Sequence, residues 1–453
     1  MTPAETWHSL LRPDVELQPA FLAQLAAEMR RRKVTFGDRL NCPFLRPFFL
    51  EESDLKRIQR VGEALAKIGE RVAEAALADP ALMAQLGLTP EEERLARIEP
   101  GYKTASTASR LDSFLLPDSL QFAEYNAESP AGLGYTQNLQ EIFNDLEIME
   151  RFRERYPVRS FRTMEPMLEA LRASYREWGG KPASPKIAIV DWREVPTWNE
   201  FEILAERFEQ LGVPTTVCDP RDLEFSKGTL KGKGRKIDLV YRRVLINDIV
   251  ARPAECRALV DAYAARAVCV ANTLRCKIPH KKAFFAMLTD ESNARCFSAA
   301  ERQIIRKHVP WTRIVRDERT QRYGQSVDLL GFIRKHRASF VLKPSDEYGG
   351  AGVVLGWEIA EGQWDDAIQA ALRDTGKVWI TQEKISVRRE VFPNVVAGSE
   401  VQMKEMLVDF SPYFFRGKLS GFMTRLSSTG LANVTSGGGQ VPVFVVGKAV
   451  GRS

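Results

Sequence analysis

No two cysteines in this 453-residue chain have C-x-x-C spacing, and only four histidines are scattered among Cys42, Cys218, Cys256, Cys269, Cys276 and Cys296. That argues against a zinc site and against a disulfide framework. Most of the thiols read as small buried hydrophobes, Cys276 included. No apolar run is long enough to span a membrane. The opening MTPAETWHSLLRPDVELQPAF lacks a signal-peptide apolar core, so a cytoplasmic location is expected. Charge of one sign is also scarce. Lys plus Arg number 65 against 59 Asp plus Glu, a net +6, with a pI near 8.9. Over this length that slightly favours anionic small ligands and does not argue for nucleic acid. The pattern G-x-x-x-x-G-K-[ST] does not occur, nor does G-x-G-x-x-G, which argues against P-loop NTPases and Rossmann dehydrogenases. No Ser-His-Asp or Cys-His arrangement, internal repeat or long low-complexity tract is visible.

What is present is ordinary globular material, 44% hydrophobic and 27% charged, enough for two or three domains. Residues 1–100 read as mainly helical. Leu55, Ile58, Val61, Leu65, Ile68 and Val72 recur at helical spacing after Ser53, a candidate N-cap, and Pro80 stops the run. Residues 101–180 carry a hairpin and then helical patterning. Residues 181–275 read as an open α/β unit with a parallel sheet. Its strand candidates are 186–190, 213–218 and 237–241, with an amphipathic helix from Phe201 to Leu211 closed by Gly212. The basic run 227–236 reads as a solvated loop. Residues 276–453 hold a second cluster of candidate chemistry.

The first cluster is Arg110-Leu-Asp-Ser-Phe-Leu-Leu-Pro-Asp-Ser-Leu-Gln-Phe-Ala-Glu-Tyr-Asn126. Pro117-Asp118-Ser119 is strong turn chemistry. A symmetric register places Asp112 opposite Glu124 and Arg110 opposite Asn126, all on one face. Opposed carboxylates repel unless a cation lies between them. Two acids and an amide oxygen make a hard ligand set suited to Mg²⁺, and Arg110 could clamp a phosphate. A polar surface hairpin is the plainer alternative. The small-residue segment 127–134 that follows suits close approach of a ligand.

The second cluster begins at Ser339-Phe-Val-Leu-Lys-Pro344, a strand ending in Lys343. It runs into Ser345-Asp-Glu-Tyr-Gly-Gly-Ala-Gly352 and a return strand, 353–356. Tyr348, Gly349, Gly350 and Gly352 form a loop whose amides could fold over phosphate oxygens; a hairpin with a flexible tip is the alternative. Val378–Ile385 alternates like a strand whose Gln382, Glu383 and Ile385 could pair with an adenine edge; an ordinary edge strand looks similar. Ile278-Pro-His-Lys-Lys-Ala-Phe opens a helix with Lys281 and Lys282, which could equally snorkel at a surface. Near the C-terminus, Arg425 and Ser436-Gly-Gly-Gly439 are a candidate anion clamp and covering loop.

These pieces in this order resemble the circularly permuted ATP-grasp family, and within it the glutathionylspermidine synthase-like group. The hairpin is the sharpest match: R-x-D, eleven residues, then E-Y-N-A. The resemblance implies an α/β ATP-grasp fold in permuted order, with a Rossmann-like pre-ATP-grasp unit at 181–275 and a helical N-terminal region. It implies that Arg110 contacts the transferred phosphate and that Asp112, Glu124 and Asn126 hold Mg²⁺. Lys343 and Lys282, or Lys281, are then ATP lysines, and Gln382 to Ile385 form the hinge. The chain has Glu128-Ser-Pro-Ala-Gly after the hairpin and Tyr-Gly-Gly-Ala-Gly in the loop where that group has other residues, and no amidase-type N-terminal domain. These differences put glutathione and spermidine in doubt as substrates and leave the ATP and Mg²⁺ residues untouched.

The expected activity is an ATP- and Mg²⁺-dependent carboxylate–amine ligase working through an acyl phosphate. Arg110 and Arg425 would stabilise the developing charge. A small-molecule kinase on the same site, or a non-catalytic nucleotide-binding protein, are the alternatives. Tyr241-Arg-Arg243 and Ser129 are open candidates for meeting a substrate carboxylate, or for purely structural pairing.

Overall fold

The apolar spacing from Leu55 to Val72 produces a 27-residue helix, Glu52–Ala78, with all six of those side chains buried. Ser53 is not its N-cap. Glu51 holds that position without a side-chain cap bond, and Ser53 lies inside the first turn. Asp79 closes the helix and caps the next one, which starts at Pro80, by accepting the Ala81 N–H at 2.8 Å. Gly62 and Gly69 let the long helix approach its neighbours closely. A Cβ at Gly62 would lie 2.1 Å from Phe414 Cζ, and one at Gly69 2.5 Å from Tyr125 Cε1. The computed structural model describes residues 1–181, 184–396, 400–429 and 438–449.

The helix packs against a six-stranded antiparallel sheet built from both ends of the chain. Its path runs Gly439–Val441, Lys418–Ser427, Glu400–Phe415, Ala108–Leu115, Leu120–Asn126, and Arg388–Val396 pairs with the first part of Glu400–Phe415. The hairpin is thus stitched to a strand some 300 residues later, with Tyr413 paired to Arg110 and Phe410 to Ser113.

The N-terminal region is not helical throughout. Phe48–Glu51 is a strand lying parallel to Val443–Val446, and Thr35–Phe36 pairs with Arg39–Leu40. The Phe48-Phe-Leu50 run is buried. Its partner strand is almost the whole chain away, so local patterning gave no sign of the pairing.

The α/β unit is a parallel four-stranded sheet in the order Cys269–Ala271, Leu239–Arg242, Ile187–Val190, Thr215–Cys218. The basic run 227–236 is not a plain loop. Thr229–Gly232 and Arg235–Lys236 join Leu223–Ser226 in a small antiparallel sheet. Leu230 and Gly232 turn inward while Lys231 and Lys233 face solvent, an alternation that the abundance of lysine and glycine masks in the sequence. A separate core, around Trp311, Leu342 and Trp364, supports the antiparallel sheet Thr312–Ile314, Trp379–Glu383, Phe340–Pro344, Val354–Leu355. No described helix is long and apolar enough to cross a membrane.

Candidate active site

The 108–126 hairpin pairs Arg110 with Asn126 and Asp112 with Glu124. It reaches that register by an indirect route. The turn closes at Leu116–Ser119, so Leu115 pairs with Leu120 and Ser113 with Phe122. Continued without interruption, that register would put Asp112 opposite Ala123. A bulge at Ala123 adds one residue and turns Glu124 and Asn126 onto the face of Arg110 and Asp112, while Phe122 and Tyr125 both stay in the core. Re-aiming of side chains is a recurrent use of such bulges.

Asp112 lies between two arginines. Arg110 donates to it through Nε at 2.8 Å and a second nitrogen at 3.3 Å, and Arg425 donates at 2.6 Å. Burial alone would raise the Asp112 pKa, but the two guanidinium groups overcome this and hold it well below the carboxylate range. Arg425 also bonds Asp409, its direct cross-strand neighbour. Burial pushes Asp409 up to about 6, against the pull of Arg425 and with the push of Asp112. Asp409 escaped the sequence reading. Its one signal is a lone acid inside the otherwise apolar run Met406–Phe410.

Lys282 faces this hairpin, with Nζ 3.2 Å from Glu124 Oε1. It caps the helix Ala283–Thr289. Lys281 points elsewhere, pairing with Glu92 and Asp346 at 2.7 Å each. Neither lysine snorkels; both are buried. Lys343 lies one residue before the end of its strand, which continues to Pro344, and donates to Gln382 Oε1 at 2.8 Å; Gln382 in turn donates to Thr312 Oγ1 at 3.1 Å. Burial lowers the Lys343 pKa to about 8, with Glu124 opposing and Lys282 reinforcing the shift.

The strand bearing Gln382 is interior, flanked on both sides. The Glu383 amide donates to Trp311 O at 2.9 Å and the Lys384 amide to Ser339 O at 2.8 Å, so neither amide is left for a base edge. The Glu383 carboxylate is held by Arg322 and Tyr323. Gly349, Gly350 and Gly352 all have positive φ, 65°, 78° and 71°, the conformation glycine allows at no steric cost.

One cavity of about 560 Å³ gathers these groups. Arg110, Asp112, Glu124 and Asn126 line it, with Lys282, Lys343, Tyr348, Gly349, Gly350, Gln382, Glu383, Ile385, Asp409 and Arg425. Gly352 does not; it turns the loop beside Pro344. Of the glycine segment near the C-terminus, Ser436 and Gly437 lie outside the described residues. Ser129 and Arg243 both reach the cavity, and Ser129 Oγ donates to the Arg243 carbonyl at 2.8 Å; Tyr241 and Arg242 do not line it. Asp191, Asp248 and His280, which the sequence reading did not single out, complete one wall.

A model of the circularly permuted ATP-grasp type 2 family matches residues 117–435. The chain belongs to this family. The matched segment begins within the hairpin turn, so Arg110 and Asp112 precede it. Among solved structures, a glutathione synthetase-like effector from Globodera pallida, in its apo form, is similar at a TM-score of 0.60 and 11% identity, covering 96% of this chain and 98% of that one. A putative γ-glutamylcysteine synthetase from Methylobacillus flagellatus KT aligns at a TM-score of 0.40 and 11% identity, over 82% and 83% of the two chains. No curated protein matches the sequence. The circularly permuted ATP-grasp fold implies ATP binding, and membership of the family suggests an ATP-dependent ligase.

Proposed function

We propose that this ATP-grasp chain is a carboxylate–amine ligase that forms an amide through an acyl phosphate. The observation that carries the reading is the single cavity in which Arg110, Arg425, Lys282 and Lys343 converge on the opposed carboxylates of Asp112 and Glu124. Four cations on one side suit a triphosphate and a developing phosphoryl charge. Lys343, its strand fixed on both sides and its amine tied to Gln382, presents a preorganised donor. Lys282 and Arg425 hold carboxylates in the free protein and can exchange them for phosphate oxygens without leaving the cavity.

Mg²⁺ fits the hairpin by donor chemistry. Asp112 and Glu124 face each other, and Asn126, opposite Arg110, lines the same cavity with a side-chain oxygen to offer. No three His, Cys, Asp or Glu side chains cluster for a metal among the described residues, so the third protein ligand would be the Asn126 amide. Bound there with ATP, the ion supplies charge neutralisation for γ-phosphoryl transfer. Arg110 and Arg425 orient the accepting carboxylate and the phosphoryl oxygens. The Tyr348–Gly350 turn, exposed at the mouth, is placed to exclude water from the activated acid.

ADP release measured with ATP, Mg²⁺ and panels of carboxylates and amines tests the reading. Amine-dependent release with a condensed product of matching mass is expected; release without amine would indicate a kinase instead. Asp112→Asn should lower turnover by at least about 100-fold. The fold should survive, since Arg425 keeps Asp409 and Arg110 keeps the Ala131 carbonyl. Wild-type turnover in that variant would overturn the assignment of the hairpin.

A further inference from the structure

The parallel sheet changes direction of growth inside the cavity wall. From Ile187–Val190 the chain goes to Thr215–Cys218 on one side, then to Leu239–Arg242 on the other. The crevice beyond the carboxyl ends of Ile187–Val190 and Leu239–Arg242 is therefore a topological switch point, the place where open α/β sheets bind ligands. Asp191 directly follows the first of these strands and Arg243 the second; the Arg243 amide donates to the Val190 carbonyl at 2.9 Å. Both side chains reach the cavity, as does Asp248.

The charges divide the cavity in two. Lys282, Lys343, Arg110 and Arg425 line the phosphate side, while this wall presents Asp191 and Asp248. Arg243 makes no close ion pair with either acid: it donates to the Pro130 carbonyl and the Tyr241 hydroxyl, and its ion pair is with the buried Glu200, 4.0 Å away. Asp191 is 7% exposed and its Oδ1 accepts the Trp192 amide at 2.8 Å. The Tyr135 hydroxyl on this wall, on a side chain 2% exposed, has no partner. An unpartnered hydroxyl and two carboxylates match the donors of an ammonium group. Tyr348, in the glycine loop, lies within electrostatic reach of both acids and offers a ring face to a cation.

We propose that Asp191, with Asp248 beside it, binds the ammonium of the amine substrate and takes its proton as the amine attacks. This rests on the ligase reading above. The groups facing Asp191 are Arg243, Arg242 and Asp248. Burial is the largest influence and places Asp191 at about 6, Asp248 adding to the rise while the arginines and the Trp192 amide oppose it. A carboxylate so placed is ionised at neutral pH and basic enough to accept a proton. In the step itself, one ammonium proton passes to Asp191. The freed lone pair forms the C–N bond at the acyl carbon, and the C–O bond to phosphate breaks with its electron pair going to phosphate. The second nitrogen proton leaves with the phosphate as HPO₄²⁻, giving the amide.

Asp191→Asn, which keeps an oxygen for the Trp192 amide, separates this step from the earlier one. Wild type and variant are given ATP, Mg²⁺ and a panel of amino acids and dipeptides as acids, with either hydroxylamine or the amines glycinamide and putrescine. Hydroxylamine is mostly unprotonated at neutral pH and needs no base, so it reports acyl-phosphate formation alone. The variant should form hydroxamate as wild type does, bind Mg·ATP unchanged by calorimetry, and form amide about 100-fold more slowly. Asp248→Asn should raise the amine KM and leave hydroxamate formation unchanged. Amide formation undiminished in Asp191→Asn, or hydroxamate and amide falling together, overturns the proposal. So does a wild type that makes hydroxamate but no amide with either amine. Absence of hydroxamate from both proteins would remove the ligase reading, and this inference with it.

Discussion

At the scale of single residues, the cavity sets stability against function. Lys343 is held beside Lys282 with its pKa near 8, below its ordinary 10.5, chiefly by burial. Between those values the unfolded chain carries a proton that the folded chain lacks, so this group makes stability rise with pH. Below pH 8 its cost is complete and constant. Replacing Lys343 with Met should therefore stabilise the ligand-free protein by about 1–2 kcal/mol at pH 7, after allowance for solvent in the cavity. The gain should vanish above pH 10.5. ATP affinity should fall in the same variant. Thermal unfolding from pH 7 to 10.5, beside an ATP titration, checks both. An unchanged melting temperature at pH 7 would mean that the lysine carries no such cost.

At the scale of elements, the hairpin shows how much can be read locally. A register symmetric about Asp118 pairs Asp112 with Glu124, but the turn closes at Leu116–Ser119 and the pairing is reached only through a bulge. The bulge that makes the pairing work was not legible, because Ala123 differs from its neighbours only in where the core accepts Phe122 and Tyr125. Asp409 was hidden for a related reason: its charge partner Arg425 lies on the next strand, and Asp112, which shares that arginine, is some 300 residues away. The helix Glu52–Ala78 was visible in its apolar period, but its two close-approach glycines were not. Gly62→Ala gains up to about 1 kcal/mol of helix propensity. It must also push Phe414 aside from 2.1 Å, and overpacking costs about 1–3 kcal/mol. Net destabilisation by about 1–2 kcal/mol is expected, read as a lowered denaturant midpoint at constant slope. A neutral or stabilising result would show that the helix can lift from the sheet at little cost.

At the scale of the whole molecule, Glu128 ties the hairpin to the α/β unit. It is 1% exposed and contacts Arg242 at 3.3 Å and Lys277 at 3.2 Å, and it accepts the Ile246 amide. Burial opposes its ionisation, but Lys277, His280 and Arg242 hold it at about 2, below the ordinary 4.5. The lowered carboxylate contributes stability above pH 4.5, lost as pH falls toward 2. Glu128→Gln leaves buried cations without their charge partner and should cost about 3 kcal/mol at pH 7. The difference from wild type should shrink in acid. Urea unfolding at pH 7 and pH 3 tests this; an equal loss at both would mean that the charge is not what matters.

Local sequence alone determined the class of the segments with a clear period or turn, though not of Phe48–Glu51 or of the basic run 227–236. Hydrophobic period set the long helix, turn residues set the hairpin, and alternating strand and helix patterns set the parallel unit, because each depends on groups a few residues apart. The family-specific order of motifs was likewise readable along the chain. Only the tertiary structure decided which segments share a sheet, that Lys282 and not Lys281 meets the hairpin, that the strand carrying Gln382 is interior, and that Asp191, Asp248 and Asp409 face the same cavity as the lysines. Those outcomes depend on packing and charge between residues tens to hundreds of positions apart, where sequence carries the partners but not their meeting.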